Sequence, residues 1–169
     1  TALALNTNTS DILALTVNDT PSLDAAGTIA LVALLEKTGG KIKVISGTVE
    51  GSIEDLTSIY VTNKAKFEGL GNEAVTISGG GVSAAQLNAI AAATTGKVTA
   101  TLSSDTPLNA ATVTALKDVK TTDTITFNSA IDTLDSVEAF NALLAIKKII
   151  TAADFTAVTT IEADAKDVA

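Results

Sequence analysis

The sequence predicts an α/β fold assembled from repeated strand–helix units, of which residues 79–103 are the clearest example. Ser83 and Gln86 have the spacing of a capping box, in which each side chain accepts a hydrogen bond from the other residue's backbone N–H. A helix should therefore begin at Ser83. Its inward face should consist of the apolar residues that recur at helical spacing, namely Ala84, Leu87, Ile90 and Ala91.

The same unit should end in a strand. Gly96 follows the helix, and glycine is the usual residue at the left-handed position that terminates one. Residues 97–103 alternate and are rich in β-branched side chains, which is typical of a half-buried strand. Its inward residues would be Val98, Ala100 and Leu102, and its outward residues Thr99, Thr101 and Ser103.

Similar units are predicted on both sides of this one. The other expected strands cover residues 12–17, 41–47, 74–78 and 124–129, with weaker ones at 149–152 and 158–162. Helices should cover residues 21–37, 52–61 and 132–146, and another should begin at residues 105–107. Two of these helices would start at the repeated tripeptide Asp-Thr-Pro, at residues 19–21 and 105–107, because proline is favoured at the first helical position.

Each of these helices has an expected inward face and expected end signals. The inward residues are Leu23, Ile29, Val32 and Leu35, then Ile53, Leu56 and Tyr60, then Leu108, Ala111, Ala115 and Leu116, and finally Leu134, Val137, Phe140, Leu143 and Leu144. Ser52 is the expected cap of the second helix, and Lys147 and Lys148 suit the last turn of the last one. Residues 62–73 have the least regular sequence pattern, and we expect them to form either an insertion or a short strand and loop. If the protein has a binding loop, we expect it in this stretch.

The strand spacing favours a single repeat domain over residues 1–169. Strand positions recur every 23 to 33 residues, at Ile42, Val75, Val98, Ile125 and Ile149. Because helices connect them, the strands should form a largely parallel sheet with right-handed crossovers. We expect an N-terminal arm at residues 1–10, about five β/α units at 11–158 and a C-terminal cap at 159–169.

Two architectures satisfy this pattern. One is a leucine-rich-repeat-like β/α solenoid, with a mostly parallel sheet on one face and helices on the other, and the alternative is a doubly wound sheet with helices on both faces. Parallel strands that are covered on both faces have sequences that are nearly continuous apolar runs. The predicted strands instead alternate with polar residues, which favours the solenoid. These polar residues are Lys43, Thr76, Thr99, Thr101 and Thr126.

The composition excludes several classes of function. The net charge is −8 and all eleven basic residues are lysines, which argues against a nucleic-acid partner. Without His or Cys, the chain cannot form a Ser/His/Asp or Cys/His nucleophilic site or an imidazole or thiolate metal site. We therefore expect a protein that is not an enzyme, with no catalytic, cofactor-binding or metal-binding residues and no cofactor. An enzyme that uses only carboxylates or lysines is the alternative.

The features most similar to chemical motifs have structural interpretations. Residues 79–81 are three glycines before a helix, but no phosphate-binding motif surrounds them, so a strand-to-helix turn is expected. Asp132, Asp135 and Glu138 lie where they would complement a helix N-terminus. Asp19 and Asp105 suit turns and caps. None of these residues requires a metal.

Partner binding is expected at the polar sheet face and at the ends of the array. A flat threonine face could contact protein or glycan, and unpaired terminal strands must be capped or matched by a neighbour. No run of about eighteen apolar residues or signal peptide is evident, so we expect no membrane insertion. Thr1 is compatible with a complete mature protein, although a fragment of a longer chain fits equally well.

Residues 82–103 and 132–145 resemble Ala/Thr-rich repeat segments of acidic surface proteins of marine cyanobacteria and of virion proteins of their phages. This resemblance implies a structural or adhesive role with no catalytic residues. Within that role, the short chain, the absence of an evident signal peptide and an N-terminus compatible with a complete protein favour a phage virion decoration or knob-type protein on the virion surface. It would bind capsid or other surface subunits, or itself through the array ends. The alternative is a repeat segment of an extracellular cell-surface adhesin.

Overall fold

A computed structural model describes residues 15–17, 23–35, 40–44, 47–103, 105–106, 109–127, 133–134, 137–150 and 160–161. In this part of the chain the fold is α/β, as predicted. The strands are β1 (Leu15–Val17), β2 (Leu23–Asp24), β3 (Ile42–Val44), β4 (Thr48–Gly51), β5 (Phe67–Glu68), β6 (Ala74–Ile77), β7 (Val98–Leu102), β8 (Thr124–Phe127), β9 (Thr133–Leu134) and β10 (Thr160–Ile161). The α-helices are α1 (Ala25–Leu35), α2 (Ile53–Thr57), α3 (Ala84–Ala93), α4 (Ala110–Ala115) and α5 (Val137–Ile149).

All described strand pairs are parallel, which confirms the predicted parallel sheet. The largest sheet has the order β2-β4-β6-β7-β8, and smaller sheets have the orders β1-β3-β5 and β10-β9. Neighbouring strands of the large sheet follow one another along the chain. Val49 lies opposite Val75, and Val75 lies opposite Val98. The chain therefore returns to the same sheet about every 25 residues.

The core lies between the strands and the helices. Alternate strand residues are buried, including Val49, Val75, Val98 and Ile125, as expected for a sheet with one face on the core. The helices contribute Leu56, Leu87, Ile90 and Ile146, and Leu116 directly follows α4; all five are fully buried. The helices also contact one another in chain order, from α1 to α5. The strands of the large sheet therefore pair in the same sequence order in which the helices contact one another.

Helix α3 confirms the best-defined prediction. Ser83 is its N-cap, with both hydrogen bonds of the capping box to Gln86, and all four predicted inward residues are buried. Strand β7 also has the predicted inward face.

The predicted role of Gly96 was wrong. Its φ is not positive, whereas that of Gly79 and Gly80 is. A Cβ on Gly96 would instead overlap the Glu73 carbonyl oxygen. Glycine is therefore needed at this position because two backbone segments approach closely, and not because the helix ends in a left-handed residue.

Both helix starts predicted at Asp-Thr-Pro were wrong. Leu23 and Asp24 pair with β4, so α1 begins only at Ala25, where the Asp24 carboxylate accepts hydrogen bonds from two helix N–H groups. Asn109 caps α4 by accepting a hydrogen bond from the Thr112 N–H. In both cases a cap residue downstream of the proline supplies the first hydrogen bonds. The prolines themselves lie outside the described residues.

The second unit was predicted in part. Ser52 caps α2 as expected, and Ile53, Leu56 and Tyr60 are buried. The predicted helix continues as a π-helical turn at Ser58–Thr62. Strand β4 was not predicted.

Residues 62–73 contain a short strand, as one of the two predictions for them stated. A 3₁₀ turn at Lys64–Lys66 leads into β5, which pairs with β3. This stretch is therefore part of a sheet rather than an insertion.

The last predicted helix was misplaced by several residues. Leu134 belongs to β9, and α5 begins at Val137 and ends at Ile149, where a strand was predicted. Leu144, predicted to face inward, is 43% exposed, and Ala142 and Ile146 are buried instead. Lys147 and Lys148 do lie in the last turn.

Strand β10 falls within predicted strand 158–162. The predicted arm, most of the predicted cap, and the side chains of Leu23, Leu35, Leu108, Val137 and Glu138 lie outside the described residues.

In the helix after residues 105–107, Leu116 is buried as predicted, but Ala111 is exposed and the polar Thr112 is buried. The inward side of this helix therefore includes Thr112, and Ala111 lies on the outward side.

Candidate functional site

The three glycines at residues 79–81 connect β6 to α3, as predicted. Gly79 and Gly80 are exposed and have φ values of 91° and 134°. A Cβ on Gly81 would lie 2.6 Å from the Cα of Ser103. The first two glycines therefore form the turn, and the third permits close approach to the end of β7.

The carboxylates predicted to have structural roles are only partly described. Asp105 lies in an exposed turn, whereas Asp19, Asp132 and Asp135 lie outside the described residues. The described residues contain no group of three or more His, Cys, Asp or Glu side chains that could hold a metal ion. None of the described helices combines the length and the apolar character that crossing a bilayer requires.

The predicted threonine face lies on the large sheet. Thr76 is opposite Thr99, Thr99 is opposite Thr124, and Thr101 is opposite Thr126. These five side chains are half-buried rather than fully exposed. Lys43 was predicted to share this face, but it lies in the β1-β3-β5 sheet opposite Glu68. The threonines therefore form a continuous hydroxyl-bearing ladder across β6, β7 and β8.

Two buried carboxylates, which the sequence did not reveal, fix the turns that lead into β6 and β8. The first is Glu73, which directly precedes β6 and is 2% exposed. One of its carboxylate oxygens accepts hydrogen bonds from the N–H groups of Gly71, at 2.7 Å, and Asn72, at 3.0 Å. The other accepts a hydrogen bond from the Tyr60 hydroxyl. Glu73 thereby fixes the turn before β6 and attaches it to the π-helical turn.

This arrangement changes the acidity of Tyr60. Burial of the hydroxyl raises the pKa of Tyr60 well above its ordinary value, and the hydrogen bond to Glu73 and the carboxylate's negative charge raise it further. Tyr60 is therefore a persistent hydrogen-bond donor. It is the only tyrosine in the chain.

The second buried carboxylate is Asp123, which directly precedes β8 and is fully buried. One oxygen accepts a hydrogen bond from the Val98 N–H at 2.8 Å, and the other accepts one from the Lys120 N–H at 2.8 Å. The Lys120 ammonium lies 3.7 Å from the same carboxylate. Asp123 thus links the start of β7 to the turn before β8.

Thr94 connects Glu73 to Lys120, which lies beside Asp123, and so brings both carboxylates into one network. Its hydroxyl donates to the Glu73 carbonyl oxygen at 2.7 Å, and its own carbonyl accepts a hydrogen bond from the Lys120 ammonium at 3.2 Å. Lys120 also donates to the carbonyl of Ala91 at the end of α3, where a cation is favoured. We call Tyr60, Glu73, Thr94, Lys120 and Asp123 the junction network.

Little in the sequence identifies the junction network. Tyr60 was predicted to be buried, but only as part of an apolar stripe, and neither Glu73 nor Asp123 belongs to a recognised motif. A weak signal is their shared position, since each immediately precedes an alternating strand that begins at Ala74 or Thr124. The contacts from Tyr60 to Glu73, from Thr94 to Glu73 and from Lys120 to Thr94 span 13, 21 and 26 residues, which is why local pattern does not reveal them.

A second polar link joins the middle of α3 to the turn after α4. The side chain of Asn88 donates to the Asp118 carboxylate at 2.9 Å and accepts from the Asp118 N–H at 2.7 Å. Hydrogen bonds from Lys117 and Asn88 hold the pKa of Asp118 below its ordinary value. This link fixes α3 relative to the turn that follows α4.

A groove of about 560 Å³ lies between the start of α3 and the start of α4. Most of the side chains that line the groove are small, and the lining includes Gly81, Ser83, Gln86, Asn109 and Thr112. The capping hydrogen bonds described above already engage the side chains of Ser83, Gln86 and Asn109.

The polar groups gathered by the fold are therefore suited to holding backbone segments together. The carboxylates of the junction network are engaged by backbone N–H groups, a hydroxyl and an ammonium, so their oxygens are occupied within the fold. Glu73 attaches the turn before β6 to the π-helical turn, and Asp123 links the start of β7 to the turn before β8. Comparison with known proteins gave no match to a family model, a curated protein or a solved structure.

Proposed function

We propose that this protein is a β/α solenoid that serves as a non-enzymatic structural component of a particle surface, most specifically a phage virion decoration or knob-type protein. The observation that carries the proposal is the junction network, which joins neighbouring units through side chains that are buried except for the half-buried Lys120. Buried side chains of this kind hold a scaffold together and are out of reach of a substrate in solvent.

The solenoid is supported by the order of the contacts. Strands of the large sheet pair in chain order, and the helices contact one another in the same order. In a solenoid each repeat contacts its neighbours alone, so that stability arises from repeat and interface contributions. A doubly wound sheet would place strands next to one another out of chain order around a switch point.

Hydrogen exchange tests the solenoid. If stability is transmitted between neighbours, amide protection should be highest in the central strands β6 and β7, which are paired on both sides, and lower in β2. Uniform protection that is lost in one cooperative step would contradict the solenoid and favour a single closed core.

The particle-surface role is supported by the composition and by the resemblance to virion proteins. The chain has no Cys, Met or Trp, and Cys and Met are common sites of oxidative damage. The net charge of −8 provides mutual repulsion between free copies. Both properties suit a long-lived, exposed protein present in many copies.

Mass spectrometry of purified particles from the native source tests this role. A decoration protein should yield peptides from this chain in fixed stoichiometry with the major capsid protein, and they should persist after the particles are washed. The adhesin alternative predicts that the same peptides occur in a larger protein of the cell-surface fraction. Recovery of the chain in neither fraction, but among intracellular proteins, would overturn both.

A further inference from the structure

We draw no further inference here: the strongest candidate, the groove between the starts of α3 and α4, is formed by two helix N-termini and small side chains, and no second observation among the described residues indicates what it would hold.

Discussion

Glu73 and Asp123 solve the same structural problem in different ways. Each immediately precedes a strand, is almost completely buried and accepts hydrogen bonds from backbone N–H groups. Glu73 directs its second oxygen to the hydroxyl of Tyr60, whereas Asp123 directs both oxygens to backbone N–H groups and has Lys120 nearby.

This difference has an energetic consequence. A tyrosine hydroxyl can rotate and exchange its donor and acceptor roles, but a backbone N–H can only donate. The Glu73 junction should therefore tolerate a change in its carboxylate better than the Asp123 junction does. The following substitutions test this comparison, from the largest expected effect to the smallest.

Gly96→Ala should be the most disruptive substitution at the Glu73 junction. The new Cβ would overlap the Glu73 carbonyl oxygen, which belongs to the backbone and cannot move without displacing the start of β6. We expect a loss of about 3 kcal/mol in the free energy of unfolding, measured by urea denaturation.

Gly80→Ala is the matched control, because a Cβ there meets no atom within 4 Å and only the positive φ is unfavourable. It should cost about 1 kcal/mol. Equal losses in the two variants would show that the close approach at Gly96 is unimportant.

Asp123→Asn should destabilise the protein more than Glu73→Gln. The side-chain amide that replaces the Asp123 carboxylate would direct its N–H donors at the backbone N–H of Val98 or Lys120, and it would no longer balance the Lys120 ammonium. We expect a loss of about 2–3 kcal/mol for Asp123→Asn and about 1–2 kcal/mol for Glu73→Gln. The opposite order in urea denaturation would refute the distinction between the two junctions.

Tyr60→Phe should remove the pH dependence that the Glu73 junction creates at high pH. The pKa of Tyr60 is raised in the folded protein, so its contribution is fully present below about pH 10, the pKa of an unfolded tyrosine. Above that pH the unfolded chain loses the proton and the folded chain retains it, so stability should fall. Near neutral pH the substitution should cost about 1–2 kcal/mol, because Glu73 loses one donor.

The tyrosinate absorbance reports on this prediction without interference, since the chain has one tyrosine and no tryptophan. In the native protein, ionisation should coincide with the loss of circular dichroism as the pH rises. A free titration near pH 10 in a folded chain would mean that Tyr60 is not buried against Glu73. Between neutral and high pH, the free energy of unfolding of Tyr60→Phe should fall less than that of the native chain.

Ser83→Ala should have the smallest effect, because it removes a local cap and leaves both junctions intact. Ser83 accepts a hydrogen bond from the Gln86 N–H at an exposed helix start, so thermal unfolding should reveal a loss of about 1 kcal/mol. Ser83→Asp should restore most of it, since aspartate is also a good cap. A loss as large as that of Asp123→Asn would mean that the start of α3 contributes as much to the free energy of unfolding as the junction network does.

Elements with strong local signals were predictable from the sequence. The capping box at Ser83, the alternation of β7 and the parallel direction of the strands all follow from residue spacing and connection length. Strand β4 and the start of α1 could not be predicted from local signals. Cross-strand pairing, as between Leu23 and Val49, outweighed the local preference for a helix at Pro21.

The sequence by itself determined which residues could form strands and helices and which chemistries are impossible, because spacing and composition act locally. Only the tertiary structure decided the role of Gly96 and the partners of Glu73 and Asp123. Gly96 lies against the carbonyl of Glu73, 23 residues earlier, and Asp123 binds the backbone of Val98, 25 residues earlier. Such contacts depend on which segments stacking brings together, and no single stretch of sequence contains that information.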